Sequence, residues 1–188
     1  NIVGGNTAGA GNVISANTGH GVGISTLATA NVVQGNFIGT GIDGTQGPLP
    51  LGNQGPGVSL WGASGNTIGG TESDEGNTIA FNGEGITFLS GTDNAIIGND
   101  IYTNDALGID FDDDGVTPNS NVDAWLNYPV ITSATETAGI VTVDFDLDAP
   151  AGDYRIELFK NPGGADPTGF GEGQTYVDTY DVVSHSGG

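Results

Sequence analysis

The chain has 188 residues, 35 of them Gly, and a formal net charge of −21 from 23 acidic and two basic side chains. This charge excludes a nucleic-acid-binding protein and a partner of anionic membrane surfaces, because Arg155 and Lys160 cannot form a basic face. No apolar run is long enough for insertion into a bilayer. Cys is absent, which excludes disulfides and thiolate metal ligands. Met is absent too, and we expect a processed protein or a piece of a longer one.

Three short motifs recur four times in the same cyclic order along the first 111 residues. The motif Asn-x-(Ile/Val)-x-Gly begins at Asn1, Asn31, Asn66 and Asn94. The motif Gly-Asn-x-Ile begins at Gly11, Gly35, Gly76 and Gly98. The motif Gly-apolar-x-apolar begins at Gly21, Gly57, Gly85 and Gly108. A bare round of about 23 residues with three short strands and no helical spacing predicts a parallel β-helix of about four coils.

Two features of the repeat predict how the coils stack. Alternate apolar residues of each strand should point inward and pack on the same position one coil away, as in the row Ile14, Ile38, Ile79 and Ile101. Asn17, Asn82 and Asn104 each follow the second-motif Asn by the same spacing, which predicts a ladder of stacked amides at one corner. A long insertion, Thr40–Gly55, lengthens the second coil and is the first candidate for a contact surface.

The repeat stops after Phe111, and the pattern of the chain changes. We assign residues 1–128 to the β-helix, with an acidic exit loop at 110–123, and residues 129–188 to a second domain. That domain shows four candidate strands, whereas an immunoglobulin-like sandwich has about seven. The sequence therefore predicts an all-β chain in which the β-helix is followed by an incomplete Ig-like β-sandwich.

The motifs resemble those of right-handed parallel β-helix repeat proteins found in secreted and cell-surface proteins of bacteria and archaea. The segments that carry the resemblance are Gly11–Asn17, Asn31–Thr40, Asn66–Thr71 and Gly76–Asn82. Tyr154–Phe159 and the Gly-Glu-Gly at 171–173 look like the small β-sandwich module that follows such arrays. The resemblance implies the fold and an extracellular or cell-surface location, and it assigns no activity.

An acidic motif in the exit loop predicts a calcium site. Alternating Asp residues followed by Gly are the front half of a calcium-binding loop, in which short carboxylates converge on one ion. The predicted ligands are Asp110, Asp112, Asp114, the carbonyl of Val116, Asn121 and Asp123. The twelfth loop position is Asn rather than Glu, and no helix flanks the loop, so it is not an EF-hand. The alternative is a solvated acidic linker.

Two further kinds of site remain open. Trp61 follows the third strand of the second coil and either stacks on a sugar ring or packs under the Thr40–Gly55 loop. A glycoside hydrolase would need a carboxylate pair, which Asp110, Asp112 and Asp113 could supply. A polyuronate lyase is disfavoured because residues 1–128 contain no Lys or Arg. His20 and His185 are interpreted as surface residues.

We therefore expect a non-catalytic extracellular structural protein that is stabilised by Ca²⁺. It would be a subunit of a surface filament or polymer, or a module of a large surface adhesin. Self-association through the chain ends or by strand donation would cover exposed strand edges. The alternatives are a carbohydrate-binding module with a glycan partner at Trp61 and a polysaccharide-active β-helix enzyme of the glycoside hydrolase type.

Overall fold

The fold was analysed in a computed structural model, which describes residues 1–119, 128–167, 169 and 171–187. Every regular element in these residues is a β-strand, and four successive coils of three strands are followed by four longer strands. The all-β class and the parallel β-helix are confirmed. None of the described residues belongs to a helix long and apolar enough to cross a membrane.

Three parallel four-stranded sheets form the walls of the β-helix, and each coil contributes one strand to each sheet. The first sheet contains β1 (Ile2–Gly4), β4 (Val32–Gln34), β7 (Thr67–Gly69) and β10 (Ala95–Ile97). The second contains β2 (Val13–Ile14), β5 (Phe37–Ile38), β8 (Thr78–Ala80) and β11 (Asp100–Tyr102). The third contains β3 (Val22–Ile24), β6 (Pro56–Trp61), β9 (Glu84–Ser90) and β12 (Ile109–Phe111).

The strand register stacks equivalent apolar residues on one another and so builds the core. The predicted isoleucine row is confirmed, because Ile14 pairs with Ile38, Ile38 with Ile79, and Ile79 with Ile101. Ile38 and Ile79 have no exposed surface. Strands this short cannot fold alone, and the fold is therefore stabilised mainly by burial between neighbouring coils.

Asn side chains form a continuous ladder at each of three corners. From coil to coil, Nδ2 of one Asn donates to Oδ1 of the next, as between Asn36 and Asn77 at 2.9 Å. Two ladders follow the Asn of the first and second motifs: Asn1, Asn31, Asn66, Asn94 and Asn12, Asn36, Asn77, Asn99. The third contains the predicted residues and one more: Asn17, Asn53, Asn82, Asn104.

A later segment of the chain packs against the fourth coil. The described chain divides into two compact units, and Glu157–Asp178 belongs to the same unit as Asn1–Val116. The N–H of Ile101 donates to the carbonyl of Gly173 at 2.9 Å, so this segment covers the free edge of β11. The Asn ladder at the third corner ends on Glu172, whose carboxylate accepts Nδ2 of Asn104 at 2.7 Å.

The second unit comprises Thr117–Ile156 and Thr179–Gly188. In this unit, strands β13 (Val130–Thr137) and β14 (Ile140–Asp146) form an antiparallel hairpin. The remaining two strands, β15 (Gly152–Lys160) and β16 (Thr175–His185), form another two-stranded sheet, and each has residues in both units. Four strands match the four predicted from the sequence. All eight residues of β13 are exposed. The Ig-like sandwich stays a prediction.

Candidate functional site

The third sheet carries a row of small and polar residues between its two rows of core residues. Val58 and Leu60 point inward and are fully buried, so Ser59 between them points to the outer face. The register continues this row from coil to coil: Gly23 pairs with Ser59, Ser59 with Thr87, and Thr87 with Asp110. The Thr87 hydroxyl donates a hydrogen bond to Oγ of Ser59 at 3.0 Å. Ser59 and Thr87 of this row line the floor of a groove across the coils.

The groove has a volume of about 580 Å³ and lies within the β-helix unit. Its lining includes Trp61 and Leu89 on one side and Pro56 and Glu84 on the other, and Asp113 also contributes. Ser59 and Thr87 face outward but are almost completely buried, since the neighbouring side chains that line the groove cover them. The result is a surface groove with a hydroxyl floor, one large aromatic ring and two lining carboxylates, Glu84 and Asp113.

The Trp61 ring occupies space in the groove that is free because Gly23 has no side chain. A Cβ atom on Gly23 would lie 2.8 Å from Cη2 of the Trp61 ring, a distance that only glycine permits. The ring also packs against His20, with ring centroids 5.6 Å apart. Trp61 is half-buried, so it keeps an accessible part. The ring contacts with Gly23 and His20 are made to the first coil, and Gln54 and Gly55 of the long loop also line the groove.

Three carboxylates gather at the groove. Oxygens of Glu84, Asp110 and Asp113 all lie within 4.8 Å of one another. Burial raises the pKa of Glu84 above its ordinary range, and the negative charges of Asp113 and Asp110 raise it further. Burial also raises the pKa of Asp110, against backbone hydrogen bonds from Gly115 and Asp114 that lower it. The site therefore concentrates negative charge on coils whose sequence, residues 1–116, contains no Lys or Arg.

Asp110 has an oxygen without a partner. Its side chain is 4% exposed, and Oδ2 accepts the N–H of Gly115 at 3.1 Å, which closes the turn after β12. Oδ1 is buried and has no hydrogen-bond partner among the described residues. A buried carboxylate oxygen without a partner costs free energy unless a cation or a donor reaches it. Since Glu84 and Asp113 are also acceptors, the arrangement is suited to a cation.

The structure groups the predicted calcium ligands differently from the sequence motif. Asp110 lies in the carboxylate cluster, but its companions are Glu84 and Asp113 in place of Asp112 and Asp114. Asp112 and Asp113 both have positive φ values, 69° and 56°. These two consecutive left-handed residues form the turn that directly follows β12. Val116 is 57% exposed, and the role of its carbonyl stays a prediction. Asn121 and Asp123 lie outside the described residues.

Glu84 is the functional candidate that the motif search missed. It lies one coil before Asp110, so no local spacing connects the two residues. The signal was nevertheless in the repeat, because Glu84 directly precedes the Gly of the third motif and the third motif of the next coil contains Asp110. Aligning the two coils on that Gly places Thr87 beside Asp110 and Glu84 three residues before Thr87, at the start of the neighbouring strand.

Together the fold and the groove define a parallel β-helix protein with an acidic, aromatic-lined channel on one of its sheets. The family described as Periplasmic copper-binding protein (NosD) matches residues 4–115, more than half of the chain. The chain belongs to this family. No curated protein and no solved structure matches the chain.

Proposed function

We propose that this chain is a non-catalytic, exported β-helix module that binds one calcium ion through Glu84, Asp110 and Asp113. Two observations carry the proposal: one carboxylate oxygen each from Glu84, Asp110 and Asp113 lie within 4.8 Å of one another, and Oδ1 of Asp110 is buried without a hydrogen-bond partner among the described residues. Calcium is bound by carboxylate and carbonyl oxygens in flexible geometry, which suits three side chains from two coils and a turn. The ion would neutralise charge on a chain of net charge −21.

The donor set does not match the copper of the family description. Cu(I) prefers thiolate and thioether ligands, and the chain contains neither Cys nor Met. Cu(II) prefers imidazole, and His20 is the one His within the matched residues 4–115. In the described part of the chain, the acidic cluster that qualifies as a metal site contains no His. The oxygen-only ligands favour a hard cation, and we derive no copper chemistry from them.

The proposed location outside the cytoplasm is supported by the periplasmic description of the family. Calcium at millimolar concentration is available outside cells, where modules with affinities of about 10⁻⁴–10⁻³ M are occupied. A surface or secreted setting would therefore keep the site loaded. The finer predictions, a filament subunit or an adhesin module that self-associates, remain proposals, and light scattering with and without a chelator would test them.

The non-catalytic assignment is supported by the crowding of the carboxylates. An inverting glycosidase holds its two carboxyl groups about 6.5–9.5 Å apart, and the three carboxylates here, with oxygens within 4.8 Å of one another, are too close for that mechanism. A retaining glycosidase holds its pair about 5–5.5 Å apart, so the spacing excludes the inverting mechanism alone. Asp112, one of the residues considered for hydrolysis, is not in the cluster. Close carboxylates that repel one another are better explained by a shared cation than by a catalytic pair.

Thermal unfolding in the presence of different metals tests the proposal. Calcium in excess of its dissociation constant should stabilise the wild type by about 1–3 kcal/mol, and Cu²⁺ should not. Glu84→Gln and Asp113→Asn should abolish the calcium effect. Glu136→Gln is the matched control, because Glu136 is an exposed side chain on β13 in the other unit. Equal calcium stabilisation of wild type and Glu84→Gln would overturn the proposal.

A further inference from the structure

We infer that the groove on the third sheet binds an uncharged glycan, which would stack on Trp61 and coordinate the calcium ion through two neighbouring hydroxyl groups. This inference rests on the proposed calcium site and names its ligand class. It goes beyond that site because it uses the whole length of the groove, from the second coil to the fourth.

The dimensions of the groove suit a short saccharide. Trp61 lies on the second coil and Asp110 on the fourth, so two strand spacings, or about 10 Å, separate them in the direction across the strands. That distance is close to the length of about two linked sugar rings. The volume of about 580 Å³ lies within the range of about 300–1,000 Å³ that ligand pockets occupy.

The chemistry of the lining also suits a sugar. Trp61 offers an aromatic face of the kind on which the C–H surface of a sugar ring packs, and Gly23 together with His20 fixes its orientation. The floor carries the hydroxyl groups of Ser59 and Thr87. A calcium ion held by three side chains has coordination positions left, because calcium takes six to eight oxygen ligands. Sugar hydroxyls are oxygen donors of the required kind.

Electrostatics selects an uncharged glycan over an acidic one. The only basic side chains of the chain are Arg155 and Lys160, so the coils contain no Arg or Lys that could pair with a uronate or a sulfate. Three carboxylates and one Ca²⁺ leave the site with a residual negative charge. An anionic polymer would therefore be repelled by the groove and by the chain as a whole. A neutral sugar carries no charge, so this repulsion does not weaken its binding.

The test is binding of the complete chain to immobilised neutral polysaccharides, namely a glucan, a galactan and a mannan, with polygalacturonate as the anionic comparison. We expect retention on at least one neutral polymer in CaCl₂ and its loss in EDTA. Trp61→Ala should weaken binding about tenfold. Tyr128→Ala is the control, because Tyr128 is an exposed aromatic residue of the other unit. Calcium binding by Trp61→Ala, measured in parallel, establishes that the variant is folded, and Trp61→Phe should recover part of the affinity.

The outcomes separate this inference from the proposed function. Calcium binding without retention on any neutral polymer would overturn the glycan inference and leave the calcium site standing. Glycan binding that survives both EDTA and Glu84→Gln would overturn the calcium-dependent form of recognition. Preference for polygalacturonate would overturn the electrostatic argument, and release of reducing ends from a bound polymer would replace the binding function with hydrolysis.

Discussion

Glu172 occupies the place that an Asn of a further coil would take above Asn104. In the ladder, Oδ1 of each Asn accepts Nδ2 of the preceding Asn, and backbone N–H groups such as that of Asn82 bond in the same way at 3.0 Å. At the end of the ladder, the carboxylate of Glu172 accepts the N–H of Asn104 at 3.2 Å and its Nδ2 at 2.7 Å. Glu172 is 6% exposed, so this carboxylate closes the ladder away from water.

This geometry predicts that the shape of residue 172 matters more than its charge. Glu172→Gln keeps an oxygen that can accept both donors of Asn104, as an Asn does elsewhere in the ladder. We expect it to change the free energy of unfolding by less than about 1 kcal/mol at neutral pH. Glu172→Leu leaves two buried donors unsatisfied and should cost about 1–3 kcal/mol for each of them. Denaturant unfolding of both variants checks this, and equal destabilisation by Gln and Leu would contradict it.

The same residue predicts a pH dependence of stability. Burial raises the pKa of Glu172 despite the hydrogen bonds from Asn104, and the charge of Asp166 raises it further. A carboxyl group whose pKa is higher in the folded chain binds more protons when folded, so the free energy of unfolding increases as the pH falls through that raised pKa. The difference in stability between wild type and Glu172→Gln should therefore move in favour of wild type on acidification from neutral pH toward the ordinary carboxyl range. A difference that moves in the opposite direction would contradict the assignment.

Substitution of a buried Asn in the ladder should cost more stability than substitution of an exposed Asn elsewhere in the coils. Asn82 has no exposed surface, and its amide bonds to Asn53, Asn104 and two backbone carbonyls. Asn82→Ala removes all of these bonds at once and should destabilise the chain by about 3 kcal/mol or more. Asn6→Ala, at an exposed Asn, should cost no more than about 0.5 kcal/mol. Chemical denaturation of the two variants measures this difference. A similar loss of unfolding free energy in both variants would argue against a structural role of the ladder.

Gly23 should control the position of the Trp61 ring. A methyl group at residue 23 would overlap Cη2, so Gly23→Ala should push the ring out of the groove. In a Trp125→Phe background Trp61 is the one remaining Trp, and its fluorescence reports its exposure directly. We expect a red-shifted emission and faster quenching by acrylamide in Gly23→Ala. An unchanged spectrum would show that the ring does not depend on the space above Gly23.

The coils could be predicted from the sequence because each coil is specified by short motifs that recur in the same order. Each Asn and Gly of the three motifs has the same task in every coil, and the isoleucine row followed directly from the register. Asn53 was not predicted as a ladder residue because it lies inside the Thr40–Gly55 insertion, where the motif spacing is interrupted. In the structure it bonds to Asn17 and Asn82 within the ladder.

The site was harder to predict because its residues come from different coils. Asp110 was identified from its motif, but Glu84 joins it only through strand pairing, and Asp113 joins it only through the left-handed backbone of the exit turn. The role of Glu172 depends on a long-range contact between the fourth coil and a segment beyond the repeat. No spacing in the sequence encodes a contact of that kind.

The most direct test of the account is a crystal structure grown with calcium, with anomalous diffraction used to locate the ion. We predict one anomalous peak within about 2.3–2.6 Å of oxygens from Glu84, Asp110 and Asp113, at the groove beside Thr87. The buried Oδ1 of Asp110 should be among the ligands. A peak held instead by Asp110, Asp112 and Asp114, or no peak at saturating calcium, would contradict the central claim.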